Sequence, residues 1–455
     1  MARRSARLVL LALVLAAFAL ALSKAASWQY GYGFRLPAPP QLAPMPTPVV
    51  ERQERVVQRG RHSARRVVAQ AAPLGGMESR FVSSRHGVQT HAASLIELND
   101  GRLRAFWFSG SREGAADVTI QSAVFDPVRG QWSDEQTVTG RAQTQRGLHR
   151  YIAKVGNPVP VRAPDGALWL FYVTVSLGGW AGSSITLITS HDEGASWSAP
   201  RRLVTSPFLN ISTLVKSPPF FYADGTLGLP VYHEFIAKFA EILRLDKTGK
   251  VVGKQRLAAG GQGTLQPVVL LQSAEVATVL TRYAGSGAPR VRRMDTQDGG
   301  RHWSAPQPTG MHNPNAALSA LVLADGSWLA AFNDQQAGRD SLSLQWSRDH
   351  GATWRELKRL EDTRALSGKL ADEAACRAVV AGMAQETDAT RDVAPVVESV
   401  RRWQGGVCQF EFSYPWLMQA KNGDLHLVYT WNRSYIKHLR FDALWWQQRV
   451  RGAGR

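Results

Sequence analysis

Cysteine is nearly absent from the 455 residues: only Cys376 and Cys408 occur. Two thiols are too few for a disulfide-built scaffold, and no Cys/His spacing of the zinc type accompanies them. In an oxidising compartment they can form one bridge; two unpaired buried thiols are the alternative. A Gly-rich phosphate loop leading from a strand into a helix is also missing. No metal or other cofactor is therefore expected, although calcium in a surface loop would leave no mark in the sequence. Acidic residues are in deficit, 36 against 54 Lys and Arg, for a formal charge of +18. The excess is unevenly placed, because residues 1–72 hold eleven Arg or Lys against Glu51 and Glu54. The remainder of the chain shows no basic stripe with interleaved aromatics, so no nucleic-acid partner is expected.

Long apolar runs are scarce too. The one at the start, Leu8 to Leu22, follows an Arg-rich stretch, precedes small residues, and is short for a membrane span. Residues 1–25 read as an export signal or, uncleaved, as a membrane anchor. Both place the protein in the periplasm or outside the cell, in the second case attached to the membrane through residues 8–22. Residues 26–76 read as a linker, Pro-rich over 36–48 and basic over 51–68, with the ordered domain starting near Met77.

What is abundant is Gly (40), Trp (15) and short apolar segments, a composition that favours turn-rich β structure. One unit recurs: an apolar strand, a tight turn usually of Asp-Gly type, then a second apolar strand. Its turns fall at Asp100, Asp165, Asp224, near Ser273, at Asp325 and at Asn422. Successive intervals of 65, 59, 49 and 52 residues match one four-stranded propeller blade, and the last, 97, contains an insert. Residues 364–404 are rich in Ala, Glu, Arg and Val at helical spacing. The sequence thus predicts an all-β fold, a six-bladed β-propeller over 77–443 with a helical insert between blades five and six, and a basic tail over 444–455. Ring closure removes the free strand edges that an open sheet would present, and a large sandwich is the competing arrangement.

A second repeat is interleaved with the first. "SHDEGASW" (190–197) and "SRDHGATW" (347–354) fit Ser-x-Asp-x-Gly-x-x-Trp, and "TQDGGRHW" (296–303) fits with Thr in first place. The Asp suits a turn whose N–H groups need an acceptor, Gly supplies backbone freedom, and Trp covers the turn. These aspartates are structural in this reading. With the hairpins, the boxes resemble the bacterial sialidase (neuraminidase) superfamily, whose members carry such Asp-box, or BNR, repeats on a six-bladed propeller. The resemblance extends over about residues 77–443.

The heads of the inner strands should gather on one face of the axis. Those heads carry His91, Asn157, Lys216, Gln266, Asn313 with Asn315, and Tyr414. The ends of the second strands add Arg112, Glu113, Asp117, His233, Glu234, Arg282, Asn333, Arg339, Asn432 and Arg433. A ring of polar side chains is not what core packing alone predicts. Arginines can pair with a substrate carboxylate, and a buried acid can protonate a leaving oxygen.

By resemblance, "FSYPWL" is similar to the strand that bears the sialidase nucleophile, Tyr414, and "GSREGAADV" to the loop bearing the acid/base, Asp117, with Arg112 as a sugar contact. "LTRYAG" and "QQAGRDSLSLQWS" are similar to the segments carrying two carboxylate-binding arginines, Arg282 and Arg339. A tyrosine suits this role because an anionic nucleophile would be repelled by the substrate carboxylate. The pattern is broken twice. His91 stands where an Arg-Ile-Pro motif is expected, with Arg85 nearby, and Gln266 stands where a glutamate should polarise the tyrosine; Glu234 is the candidate to take over as base. The remaining substrate contacts expected are His91, Gln266, Asn157, Asn313 and Asn315. The resemblance implies an exported glycoside hydrolase that removes terminal sialic acid or a related acidic sugar from glycans with retention. A glycan-binding propeller without hydrolysis, and an envelope scaffold, are the alternatives.

Overall fold

A computed structural model describes residues 10–17, 30–42, 75–83, 89–206, 210–257, 263–388, 390–402 and 407–453. Six small antiparallel sheets surround one axis, as the repeat spacing predicts. Blade one runs through Gln89–Glu97, Leu103–Gly110 and Thr119–Asp126, with its outer edge split between Gln131–Trp132 and Gln136–Gly140. Blade two is Lys154–Arg162, Leu168–Val175, Ser183–Ser190 and Arg201–Arg202. In blade three the inner strand is broken into Leu214–Val215 and Phe220–Tyr222, followed by Leu227–His233, Phe239–Leu245 and Val251–Arg256. Blades four and five are continuous four-stranded sheets, Thr264–His312 and Ser319–Asp362.

Blade six combines both ends of the ordered chain. Its inner three strands are Phe412–Gln419, Leu425–Trp431 and Tyr435–Phe441, and its outer strand is Met77–Phe81, paired from Met77 with Phe441 to Phe81 with Lys437. Backbone hydrogen bonds therefore lock the ring at the blade where it would otherwise open. The second strands of blades one, two, five and six are buried along their whole length, with Trp107, Phe171, Trp328, Tyr429 and Trp431 filling the space between blades. Residues on alternate sides of each strand face the two neighbouring blades, so these strands read as continuous apolar runs.

The three Asp-boxes are turns between third and fourth strands. In blade two, Ser190 Oγ donates to Asp192 (2.7 Å), Gly194 N–H donates to Ser190 Oγ (2.8 Å), and Ser196 N–H donates to Asp192 (2.9 Å). Blade five repeats this around Asp349. In blade four Thr296 takes the place of Ser around Asp298, and His302 Nδ1 reaches the same carboxylate at 2.6 Å. The Gly at position five has positive φ in each box (Gly194, Gly300, Gly351), which is why the spacing of Gly after Asp is fixed.

Between blades five and six lies the expected insert, as two helices, Glu373–Gln385 and Ala394–Arg402. Asp372 caps the first by accepting from Ala375 N–H. Cys376, Val380, Ala384, Val396, Val397 and Val400 face blades five and six, packing with Leu342, Phe410 and Tyr435. Cys376 and Cys408 form a disulfide, which ties the first helix to the chain entering blade six.

The structure moves two boundaries. Residues 30–42, expected within a linker, lie against the turn face of the ring: Phe34 N–H donates to Ala274 O (2.7 Å), Phe34–Arg35 pairs with Phe221–Tyr222, and Gln41 N–H donates to Lys421 O (2.7 Å). One aromatic side chain decides this. Phe34 is 2% exposed among Phe220 and Tyr222, and its apolar burial outweighs the Pro-rich character of the sequence around it. The tail is not a free basic segment either. Ala443–Ala453 is a helix that buries Trp445 and Trp446 on blade six, with Trp446 Nε1 donating to Gly423 O (2.9 Å). Of the apolar leader only residues 10–17 are described, and they are helical. The basic stretch 51–68 lies outside the described residues. Among those described, no helix is long and apolar enough to cross a membrane.

Replacing Phe34 by Ala should cost roughly 3 kcal/mol of stability in denaturant unfolding, the usual loss for a buried phenylalanine. A loss below about 0.5 kcal/mol, the range of a surface substitution, would mean that residues 30–42 are not held against the ring.

Candidate active site

One backbone device builds the site. In blades one, two, four and six the inner strand skips two residues of its ladder near its head: Ala92-Ala93, Asn157-Pro158, Gln266-Pro267 and Tyr414-Pro415. The first residue of each pair has positive φ (54°, 46°, 51° and 55°). Asn315 of blade five has the same sign, 57°, just ahead of its strand. Positive φ takes these residues out of the alternation of the strand. Proline fits as the second residue of a bulge, where no ladder bond is asked of its nitrogen. For Asn this conformation is mild, whereas for Gln266 and Tyr414 it is uncommon enough to indicate that position matters more than local comfort. By this register the blade-one counterpart of Tyr414 is Ala92, not His91 as the sequence suggests.

Tyr414 is half-buried, and its Oη accepts from Arg282 Nη1 (3.4 Å) and Gln266 Nε2 (3.4 Å). Gln266 also donates to Tyr232 Oη (3.4 Å), which accepts from Asn157 Nδ2 as well (3.4 Å). Two phenols therefore share one amide, and burial raises the pKa of Tyr232 well above the ordinary tyrosine value, with Tyr414 and Glu234 adding to the rise. His91 stacks on Tyr414 with ring centroids 4.2 Å apart. Burial, then Arg433, lowers its pKa to about 4, so it is neutral at ordinary pH.

Asn315 organises the cations. Its side-chain oxygen accepts from Arg282 Nε (2.6 Å) and its backbone oxygen accepts from Arg339 Nη2 (2.8 Å), so two guanidiniums on neighbouring blades are held through one residue. Behind them Glu411 accepts from Arg339 (3.3 Å), Arg433 (2.7 Å) and Ser413 (2.6 Å). Arg433 continues to Glu113 at 2.9 Å. Burial pushes the Glu411 carboxyl up, but Arg433, His91 and Arg339 outweigh it and lower its pKa to about 2. Lys216, 3% exposed, also lies here, its Nζ 5.7 Å from the Tyr414 ring centroid and 5.2 Å from that of Trp416.

The structure thus brings together Tyr414, Arg282, Arg339, Gln266, His91, Asn157 and Asn315. Other expected site residues are placed differently from the expectation. Asp117, expected as a buried acid, is exposed; the small upward push of burial is outweighed by hydrogen bonds from Ser111 N–H (2.8 Å) and Oγ (2.9 Å), which hold it ionised. A short loop whose N–H groups face the carboxylate explains the difference. Arg112 is exposed on the same loop. Asn313 is consumed locally, donating to Ala316 O (2.9 Å) and accepting from Ala316 N–H and Tyr283 N–H, so it shapes the turn that presents Asn315 instead of binding a ligand. Glu234 has no hydrogen bond to Tyr414; burial raises its pKa, with Arg282 and Lys238 opposing. Arg85 lies outside the described residues.

Sequence reading did not assign roles to Tyr232, Lys216 or Glu411. Tyr232 is hidden in an apolar strand with no signal of its own. Glu411 carries one, a charge three residues ahead of Tyr414 in a stretch that otherwise reads apolar. Among the described residues no group of three or more His, Cys, Asp or Glu is placed to hold a metal ion.

Six blades, three Asp-box turns and an axial cluster of phenol, amide and paired guanidiniums define a sialidase-like propeller. The chain belongs to the BNR repeat-like domain family, which it matches over residues 101–427. Its structure is similar to the Hadza microbial sialidase Hz136 (TM-score 0.56, 15% identity, 77% of this chain and 65% of that one). It is also similar to NanB sialidase of Streptococcus pneumoniae (0.54, 9%, 80% and 69%) and to the intramolecular trans-sialidase of Ruminococcus gnavus (0.52, 12%, 79% and 95%). At these identities the likeness is one of fold, and the chain spans about two thirds of the Hz136 protein's length. No curated protein matches the sequence.

The anchoring role of Glu411 has a pH signature. Its folded pKa lies below the ordinary carboxylate value, so its contribution is complete above about pH 4.5 and is lost as pH falls toward 2. Glu411→Gln should remove on the order of 2 kcal/mol at neutral pH, after allowance for solvent screening, and flatten the stability–pH curve across that window. Parallel acid-unfolding curves for the two proteins would contradict this.

Proposed function

We propose that the protein is an exo-glycosidase of sialidase type that hydrolyses a terminal sialic acid or related acidic sugar with retention of configuration. The observation that carries this reading is the placement of the Tyr414 hydroxyl, half-open to the axis and hydrogen-bonded by Arg282, beside a second guanidinium held through Asn315. Arg282 and Arg339 present fixed donors to a sugar carboxylate, which orients the anomeric carbon over the phenol. Tyr414 attacks that carbon as the bond to the leaving oxygen breaks and the phenolic proton passes to solvent; a resting phenol is uncharged and avoids the repulsion a carboxylate would meet. Water then attacks from the face the leaving group vacated and breaks the bond between the Tyr414 oxygen and the anomeric carbon, so that two inversions give net retention.

The leaving oxygen needs a proton. Asp117 is the residue that the family resemblance assigns, and on closure of its loop around substrate it would have to leave Ser111. Glu234, whose pKa burial raises, is the other carboxyl available for proton transfer. Export through the leader, to the periplasm or beyond and with attachment through residues 8–22 if uncleaved, belongs to the same proposal. The Cys376–Cys408 disulfide supports it, since such bridges persist in oxidising compartments.

One observation favours a second reading. Gln266 stands where a proton acceptor is expected for Tyr414, and it donates to that hydroxyl instead. A glycan-binding propeller without hydrolysis would have the same arginines and no need of a base.

Purified protein, incubated with a panel of terminal acidic glycosides including an activated sialoside, should release free sugar. Tyr414→Phe should lower kcat/KM by at least about 10³-fold, the scale of losing a covalent nucleophile. Asn315→Ala should act mainly on KM, by roughly tenfold, because it removes the side-chain oxygen that orients Arg282, while the backbone oxygen that holds Arg339 stays and the phenol is not touched. Saturable binding without product from the unmodified protein would select the second reading, and neither binding nor product would remove both.

A further inference from the structure

Lys216 is a buried amine that neither reading uses. It sits where the inner strand of blade three is interrupted, between Leu214–Val215 and Phe220–Tyr222. Its Nζ donates to Pro415 O at 3.3 Å and faces two rings of blade six, Tyr414 at 5.7 Å and Trp416 at 5.2 Å. Both distances fall within the range in which a cation is attracted to an aromatic face. A lysine 3% exposed is ordinarily paired with a carboxylate, because an unpaired buried ammonium is costly. Lys216 has a carbonyl and two rings. Glu234, the raised carboxyl nearby, acts on Tyr232 and Arg282 instead.

The position has a chemical consequence for Tyr414. Ionising the phenol spreads negative charge over the ring as well as the oxygen, and a positive charge in the same low-dielectric space stabilises that form. Arg282 and Gln266 already donate to the oxygen. We propose that Lys216 is a positioning residue that activates Tyr414 electrostatically: its ammonium, held against the Tyr414 and Trp416 rings, stabilises the phenolate and takes over the task for which the sequence lacks a glutamate at Gln266. The phenolic proton leaves to solvent through the half-open axis, so no neighbouring base has to receive it. Placed in the reaction, this rests on the sialidase reading; as a statement about the phenol it does not.

The arrangement carries its own pH dependence. Burial alone lowers the pKa of Lys216 to about 7, with no charged neighbour contributing. The groups facing the pair are Tyr414 and Trp416 from blade six, Tyr232 from blade three, Gln266 and Arg282 from blade four, Arg339 from blade five, 6.0 Å from the Tyr414 ring centroid, and His91 from blade one. Of these only the phenols and the amine itself change charge above neutrality. The ammonium is therefore present below about pH 7 and fades above it, and phenolate formation in turn holds the proton on the amine.

The test needs no substrate. Tyrosinate absorbance of Tyr414 is read as the difference between the protein and its Tyr414→Phe variant during a pH titration, in the natural, Lys216→Met and Lys216→Arg backgrounds. Lys216→Met removes the charge and keeps the volume, and should move the onset of Tyr414 ionisation upward by about one pH unit or more, a tenfold loss of phenolate at a given pH. Lys216→Arg keeps a charge that does not titrate, and should bring the onset below that of the natural protein. An unchanged onset in a folded Lys216→Met protein overturns the proposal. If that variant does not fold, an onset in Lys216→Arg equal to or above the natural one does so. Should hydrolysis be found, its alkaline limb near pH 7 should disappear in Lys216→Arg. Absence of any hydrolysis would remove the sialidase reading and leave the absorbance result to be judged separately.

Discussion

A left-handed residue at the head of the inner strand is the constraint on which the site depends. A regular strand alternates its side chains between two neighbouring blades, so it has none to spare for the axis. The two-residue bulge with positive φ breaks that alternation once, at the same level in four blades, and Asn315 achieves the same ahead of a fifth. The cost is local strain at Gln266 and Tyr414, which the surrounding sheet holds in place because both strands resume their ladder immediately afterwards. The axial cluster and the regularity of the blades are thus separated by two residues.

The charges around that axis are arranged in layers. Nearest the phenol are donors, Arg282 and Gln266, and the cation Lys216. Glu411 stands behind the arginines, accepting from Arg339 and Arg433 and holding them through Ser413 to the tyrosine strand itself. A carboxylate placed there fixes the guanidiniums of Arg339 and Arg433. Asn315 offers the complementary device, an uncharged residue that orients two cations and leaves their charge unspent.

The rest of the chain serves closure. Met77–Phe81 completes blade six by backbone pairing, residues 30–42 cross the turn face, and the C-terminal helix covers the same blade with two tryptophans. The disulfide and the two-helix insert add weight at the junction of blades five and six, next to the strand that carries Tyr414. A ring has one seam, and among the described residues Met77–Phe81, the two-helix insert and the C-terminal helix are gathered around it.

Periodicity and turn chemistry, both local properties, were sufficient for the six blades, the Asp-box turns and the insert, whereas Tyr414, Arg282 and Arg339 were singled out by the resemblance to the sialidase superfamily. The same resemblance marks Gln266 as a departure from an expected glutamate. Local patterns had limits. They misplaced His91 by one residue, since a bulge shifts register without altering composition, and they left Asp117 buried and Asn313 free, because hydrogen bonds to a neighbouring turn cannot be read from residue type. Phe34 and Trp446 lay in segments whose average composition concealed one or two decisive aromatics. Lys216, Tyr232 and Glu411 acquired meaning only when blades three, four and six met at the axis. The pattern along the chain determined what each blade is; the convergence of distant strands, which sets burial and charge neighbours, decided what each polar group can do.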